Sequence, residues 1–372
     1  MGNQKTIVIA SGGTGGHLYP TIAVADEIKR QRPDLQILFI GTKNRIEAQE
    51  VPRAGYEFIP IAIESMKKDI GSMLKFSYQF SGSVYDCSRL FSKRRPSVML
   101  GGGAYLSVPV GLAAWMYHVP IALLEINSVA GSANKILSYA AEKIFLAYPE
   151  SANDFSERAR KLTVVSGTPV RADLGSAHLS KEEALKHFGL PTDRPTILAF
   201  GGSLGARAIN GALAQSVATL AEQGFNVIWQ TGKGNNVEEL QKQFQHLSSV
   251  KIQEYLYEME KAYAAADLVI SRAGASTLAE LARLGKPAIL VPYPFAAQNH
   301  QEENARSFER SGAAVVLRDL ELQEKLLPTV LELMKDYLRR TTMAENMHKR
   351  ENKDAAKIVA EWLILRTTTE PY

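Results

Sequence analysis

The stretch TIVIASGGTGGHLYPTIAVADEI, starting at Thr6, sets an apolar run of strand length against a glycine cluster and then a helical pattern. Gly12, Gly13, Gly15 and Gly16 fall within five residues, and His17 follows. The same order returns in PTILAFGGSLGARAIN at 195–210, where a constant offset of 190 pairs Thr6 with Thr196, Ile7 with Ile197, Gly12 with Gly202 and Gly15 with Gly205. A strand that runs through a glycine turn into a helix is the opening unit of a parallel, doubly wound α/β sheet. Its repetition predicts two such domains in one chain.

The runs between these turns fit that reading. QILFIG, SVMLGG (97–102), PIALLEI (120–126), KIFLAY (143–148) and TVVSG (163–167) continue the first series. NVIWQTG, VKIQEYL, DLVISRAG, PAILVPY and AAVVLRD continue the second. Strands alternating with helical stretches give parallel sheets. The polar stretch TPVRADLGSAHLS (168–180) marks the boundary. We therefore expect a first Rossmann-like domain over 1–167, joined by the tail 350–372, and a second over 168–349. The tail ends in AAKIVAEWLILR, whose apolar face is expected to pack back on the first domain.

Composition excludes more than it assigns. A net charge of +4 over 372 residues is too weak to imply nucleic acid. The single cysteine, Cys87, permits neither an internal disulfide nor a cysteine-built metal site, and reads as a half-buried helix residue. The opening MGNQKTIVIA lacks the pattern of a secretory signal, and VPVGLAAWMYHVPIALL (108–124) is interrupted by two prolines and a histidine. A cytoplasmic location is expected.

Segment 65–96 stands apart, with seven Lys/Arg against two Asp and with Met73, Leu74, Phe76, Tyr78, Phe80 and Phe91 interleaved. Basic and aromatic residues on a helix suit an anionic membrane surface. An ordinary amphipathic helix covering a sheet accounts for the same composition.

The first glycine turn is not a dinucleotide fingerprint, because the third glycine of G-x-G-x-x-G would fall on Leu18. Nor is there the Gly-Lys-Ser/Thr of a P-loop. Such turns still present backbone N–H groups and the positive end of a helix to an anion. The second turn adds Ser203 and Arg207, and GGGAYLS (101–107) follows another strand end. In SRAGASTLAELARLGKPAILVPYPFAAQNHQEENA (271–305), small and hydroxyl residues open a helix, with Glu280 one turn in. Gln298, Asn299, His300, Gln301 and Asn304 gather after a proline-rich loop, a set suited to sugar hydroxyls. Taken singly, each of these is as well explained by a helix cap or a packing turn. Four such sites at the carboxyl ends of strands point to a ligand cleft between two domains. No Asp-x-Asp occurs to hold a diphosphate-bound metal, so N–H groups and arginine would meet the charge.

SGGTGGHLYP, TPVR, GGSLGARAIN, RAGASTLAE and NHQEENA, in this order along nearly the whole chain, resemble the motifs of the MurG family. These are GT-B glycosyltransferases that move N-acetylglucosamine from UDP-GlcNAc to lipid I without a metal or other cofactor, inverting at the anomeric carbon. The resemblance implies that the second domain binds the donor. Ser203, Ala275, Ser276 and Thr277 would face the diphosphate and Glu280 the ribose. Leu256 would meet the uracil through its backbone, and Gln301 the sugar hydroxyls. Thr14, Gly15, Gly16, Asn127 and Arg171 would complete the pocket from the first domain. His17 and Glu125 are the catalytic residues it implies, with His17 either taking the proton of the attacking hydroxyl or orienting the acceptor. It also implies contact with the inner face of the membrane, to which segment 65–96 would be suited.

Two stretches depart from the family pattern: GGGAYLS differs slightly from the family's Gly-Gly-Tyr form, and the clearer departure lies at 124–127. Where the family has His-Glu-Gln-Asn, this chain has Leu124-Glu125-Ile126-Asn127. A different acceptor, a UDP-GlcNAc 2-epimerase activity, or binding of a UDP-sugar without turnover are the competing readings.

Overall fold

Parallel strands covered by helices on both faces read as unbroken apolar runs, because neither face meets water. TIVIA at Thr6–Ala10 and TILAF at Thr196–Phe200 are buried over their whole length. In the computed structural model each is an inner strand of its own sheet, paired on both sides. The structure describes residues 5–64, 70–171, 174, 179–296 and 299–368.

The chain forms two compact units, one of Met1–Ala172 with Asn352–Tyr372 and one of Asp173–Glu351. In the first, β1 (Thr6–Ala10), α1 (Gly15–Gln31), β2 (Gln36–Thr42), α2 (Glu47–Arg53), β3 (Glu57–Ile61) and α3 (Ile70–Arg94) come first. They are followed by β4 (Val98–Gly101), α4 (Ser107–Met116), β5 (Ile121–Glu125), α5 (Ser132–Leu137), β6 (Lys143–Leu146), α6 (Glu157–Arg160) and β7 (Thr163–Val165). The sheet order is β3-β2-β1-β4-β5-β6-β7, all parallel, with Ile7 opposite both Ile37 and Val98.

The second unit runs α7 (Lys181–Phe188), β8 (Thr196–Phe200), α8 (Arg207–Glu222), β9 (Asn226–Gln230), α9 (Val237–Phe244), β10 (Val250–Gln253) and α10 (Met259–Ala265). Then come β11 (Leu268–Ser271), α11 (Ala275–Leu284), β12 (Ala288–Leu290), α12 (His300–Arg310), β13 (Ala314–Val316), α13 (Leu322–Lys335) and α14 (Tyr337–His348). Its sheet order is β10-β9-β8-β11-β12-β13, again parallel. The last helix, α15 (Ala355–Thr368), packs on α1, β1 and β4 of the first unit. Trp362 meets Phe145 edge-on, Arg366 pairs with Glu142, and Lys5 donates to the Thr367 carbonyl.

In both sheets the strand order reverses beside the glycine turn. The first sheet reverses between β1 and β4, the second between β8 and β11. At such a switch point the loops leave in opposite directions and open a crevice at the carboxyl ends of the strands.

Strand β3 lies outside the runs identified from sequence. It carries Pro60, only Ile61 in it is fully buried, and it sits on the sheet edge, where proline is tolerated. Cys87 is fully buried in α3 rather than half-buried, and that burial pushes its thiol up to about 12, so it is inert.

Candidate active site

The first unit brings three glycine-bearing stretches against one another. Helix α1 starts at Gly15 with Thr14 as an extended N-cap that makes no side-chain cap. His17, on its first turn, donates from Nδ1 to the Gly102 carbonyl at 2.9 Å. A carbonyl oxygen only accepts, so Nδ1 carries the proton and Nε2 is the acceptor nitrogen of the ring. The Ser11 hydroxyl donates to the His17 carbonyl at 2.9 Å. A Cβ on Gly102 would sit 2.8 Å from that hydroxyl, and one on Gly103 would sit 3.3 Å from the imidazole Nδ1. The glycines of 101–103 thus let the β4 loop close on His17.

Glu125 ends β5 and is 1% exposed. Its Oε1 accepts from the backbone N–H and the side-chain amide of Asn127, at 3.0 and 3.2 Å. Its Oε2 accepts from the Gly131 N–H at 2.8 Å and the Asn134 amide at 2.9 Å. Four N–H donors therefore converge on one buried carboxylate. Asn134 also donates to the Leu124 carbonyl, and its amide nitrogen lies 3.2 Å from where a Cβ of Gly103 would be. The Asn134 side chain, packed against Gly103, thus joins the Glu125 cluster to the loop that holds His17. Leu124 and Ile126, the departures at 124–127, are both buried apolar residues. Arg171 lies over the Tyr19 ring, its guanidinium carbon 5.9 Å from the centroid, and the Tyr19 hydroxyl reaches Glu50 at 3.3 Å.

In the second unit, α8 and α11 follow the neighbouring strands β8 and β11 at the switch point. Neither N-cap, Ala206 or Gly274, makes a side-chain cap. The turn before α8 is held by its own contacts, with Gly205 N–H donating to Gly202 and Lys233 N–H to the Ser203 carbonyl, both at 3.0 Å. Gly205 has φ +74°, and a Cβ there would stand 1.9 Å from the Thr231 carbonyl oxygen, so only glycine fits. Ala275 and Ser276 are buried on the first turn of α11, with Thr277 half-buried beside them. Glu280, on the next turn, accepts from the buried Tyr263 hydroxyl at 2.8 Å. Burial, then the nearby Glu280 carboxylate, holds that phenol well above its usual range, so it stays a donor.

Leu256 is buried and its N–H donates to Gln230 Oε1 at 2.9 Å. Gln230 donates in turn to the Gly202 carbonyl at 3.0 Å, tying the Leu256 segment to the glycine turn. Gln301 Oε1 accepts from the Tyr293 N–H at 3.0 Å, which leaves its amide N–H₂ as the donating end. Arg272 pairs with Asp319 and donates to the carbonyls of Val291 and Pro292, fixing the start of that loop. Asn304 is 1% exposed and its side-chain amide has no hydrogen-bond partner among the described residues. Gln298 lies outside the described residues.

The motifs name the candidate seats, and their supports lie outside the motifs. Glu47, Asn134 and Gln230 carry no local signature, since each works through a contact with a distant stretch of chain. Among the described residues there is no cluster of side chains suited to a metal ion.

Segment 65–96 divides by face. Lys67 and Lys68 lie outside the described residues. In α3, Phe91 belongs to the core and Phe76 and Phe80 pack against it, whereas Met73, Tyr78 and Tyr85 are exposed, Tyr78 by 84%. Trp115, Met116 and Tyr117, at the end of the adjacent α4, are exposed as well. No described helix is long and apolar enough to cross a membrane.

Comparison with known proteins matches this geometry. Residues 7–146 match the glycosyltransferase family 28 N-terminal domain and residues 196–359 its C-terminal domain. A Salinibacter ruber protein named UDP-N-acetylglucosamine--N-acetylmuramyl-(pentapeptide) pyrophosphoryl-undecaprenol N-acetylglucosamine transferase is 40% identical over 358 residues, 95% of each chain. The crystal structure of Acinetobacter baumannii MurG superposes with a TM-score of 0.69 at 26% identity, covering 97% of this chain and 99% of that one. A UDP-GlcNAc 2-epimerase from Neisseria meningitidis superposes at 0.71 over 97% of this chain and 100% of its own, but at 14% identity it shares the fold alone. The chain belongs to glycosyltransferase family 28 and, within it, to the MurG family.

Proposed function

We propose that the chain transfers N-acetylglucosamine from UDP-GlcNAc to the muramoyl 4-hydroxyl of lipid I, giving lipid II for peptidoglycan. The observation that carries this reading is the pair of helix N-termini, of α8 and α11, that follow the neighbouring strands β8 and β11 at the switch point of the second sheet. Two such dipoles with Ser203, Ser276 and Thr277 suit a diphosphate, and Glu280, oriented by Tyr263, suits a ribose diol. Because Gln230 occupies the Leu256 N–H, Leu256 would offer a uracil its carbonyl. Gln301 and the buried Asn304 amide would hold the sugar.

The attacking hydroxyl forms the new bond to the anomeric carbon from the face opposite UDP, whose bond to that carbon breaks. The electron pair leaves on the diphosphate, and the hydroxyl proton goes to His17 Nε2. The Nδ1–H bond to Gly102 supports this assignment, since it keeps Nε2 as the ring's acceptor. Asn127, Thr14, Gly15, Gly16 and Arg171 are the acceptor-side residues. Glu125, saturated by N–H donors, orders Asn127 and the loop behind His17 and does not itself meet substrate. With Leu124 and Ile126 buried, this chain's departure from the family pattern leaves Asn127 to face the acceptor.

We further propose that the first unit meets the cytoplasmic face of the membrane through Met73, Tyr78 and Tyr85 of α3 and Trp115 to Tyr117. Lys75 is paired with Glu64, and an exposed pair of this kind holds it only weakly, so the membrane surface can draw it away.

One assay tests the reaction: labelled UDP-GlcNAc incubated with a lipid I analogue. Labelled lipid II is the expected product. Conversion of free UDP-GlcNAc alone would mark an epimerase, and binding without turnover a sugar-nucleotide-binding protein. Sedimentation with anionic vesicles tests the membrane surface, where Tyr78→Ser with Tyr85→Ser, or Lys67, Lys68 and Lys75→Glu, should reduce binding. Unchanged sedimentation in both sets would overturn it.

A further inference from the structure

The first glycine turn is held from beneath by a residue outside every motif. We propose that Glu47 is a positioning residue that locks the Gly12–Gly16 turn and, through it, sets Thr14 and His17 for the transfer step.

Glu47 is the first residue of α2 and is 0% exposed. Its Oε2 accepts from the Gly13 N–H at 3.1 Å. Its Oε1 accepts from the Thr42 N–H at 2.9 Å and the Thr42 hydroxyl at 2.5 Å. The carboxylate therefore bridges the end of β2 to the glycine turn after β1. Two glycines make room for it. A Cβ on Gly12 would stand 2.3 Å from Oε1, and a Cβ on Gly41 would stand 2.7 Å from Cγ. Gly12 is thus explained from below, by the glutamate, and not by a ligand above.

Chemistry argues against simple filling. Burying a carboxyl group is costly unless its oxygens are satisfied, and an apolar residue of similar volume would fill the space more cheaply. What the carboxylate supplies, and leucine cannot, is a directed acceptor for the Gly13 N–H. That bond turns the Gly13 N–H inward, so ligand contacts fall to the residues from Thr14 onward. Gly13 has φ +87°, a backbone state that this bond helps to specify.

The catalytic consequence rests on the first turn being the acceptor seat, whereas the brace itself does not. The test uses the full chain carrying Glu47→Gln, which keeps volume but sets an amide N–H₂ or a single carbonyl where two acceptor oxygens were. Thr42→Val, which removes one of the three donors, is the milder second variant. Hydrogen exchange read by mass spectrometry should be about tenfold faster in peptides covering 11–18 for Glu47→Gln, and changed less in Thr42→Val. UDP affinity, a property of the second unit, should stay within about twofold. Transfer to a lipid I analogue should lose about 10- to 100-fold in kcat with little change in donor KM, as expected for a misplaced catalytic group. Unchanged exchange in 11–18 would overturn the brace. Faster exchange with unchanged kcat would overturn the positioning role. If Glu47→Gln does not fold, Thr42→Val decides by the same two readouts. If the native chain itself shows no transfer, the proposed reaction fails, and the exchange measurement alone decides whether Glu47 holds the turn.

Discussion

The His17 Nδ1–H donates to the carbonyl of Gly102, which opens the loop after β4, at 2.9 Å. The tautomer of the histidine is thus set by a backbone oxygen from another strand end, across the switch point of the first sheet. A carboxylate there would have shared the proton; a carbonyl does not.

Replacing His17 by alanine should therefore remove the proposed proton acceptor and leave the rest of the turn intact. We expect kcat for transfer to fall about 10²- to 10⁴-fold. UDP affinity should be unaltered, because the proposed nucleotide seat lies in the second unit. Steady-state kinetics with titration calorimetry checks both. Full turnover would remove the assignment of His17 as base.

Glu125→Gln places an N–H₂ group where two N–H donors converge on Oε2 or Oε1. At least one buried donor then loses its acceptor. A destabilisation of about 1–3 kcal/mol follows, read as a lower urea midpoint with unchanged slope. Activity should fall further than stability, since Asn127 loses its anchor. A variant as stable as the native chain would show that the four hydrogen bonds carry little net weight.

The two positive-φ glycines of the second turn should separate strain from collision. Gly202 has φ +89° with open space around it, so Gly202→Ala pays only backbone strain, about 1–2 kcal/mol. At Gly205 a Cβ would overlap the Thr231 carbonyl, so the turn cannot keep its shape. Thermal melts should show a small shift for the first variant and a large one for the second, and UDP binding should be lost mainly in Gly205→Ala. Equal effects of the two changes would contradict the packing described.

Lys286 gives a pH dependence of defined sign. Burial lowers its ammonium to about 8, with the Ala266 carbonyl as its hydrogen-bond acceptor at 2.8 Å. The unfolded chain holds that proton up to the ordinary lysine range. Between these two values the unfolded state therefore binds more protons, and stability rises with pH from about 8 towards 10.5. Below pH 8 the charged, buried lysine costs stability. Lys286→Met should flatten this segment of the stability–pH profile. A profile identical to the native one in denaturant titrations would show that another group is responsible.

The strands and glycine turns were legible in the sequence because each is signalled locally. TIVIA and TILAF are apolar throughout, and the turns concentrate residues that nothing else explains. Strand β3 was not legible, since Pro60 and a single fully buried residue conceal an edge strand. The site divides in the same way. Ser203, Ser276, Thr277 and Gln301 sit inside motifs. Glu47 meets Gly13, and Gln230 meets Gly202, only once the sheet has brought separate strand ends together. Segment 65–96 shows the limit of composition. Its aromatic residues are shared between core and solvent, and only the helix phase decides that Phe91 is inside and Tyr78 outside.

The last helix, α15, belongs to the unit that begins the chain, so the second unit is an insertion within the first. Synthesis therefore runs in an uneven order. Asp173–Glu351 is complete before the ribosome reaches Ala355, whereas the first unit must wait with the α15-facing parts of α1, β1 and β4 uncovered. Until α15 arrives, Phe145 lacks Trp362 and the first sheet lacks part of its cover. A chain released short of residue 355 would carry the whole second unit and an unfinished first unit, the half most exposed to aggregation.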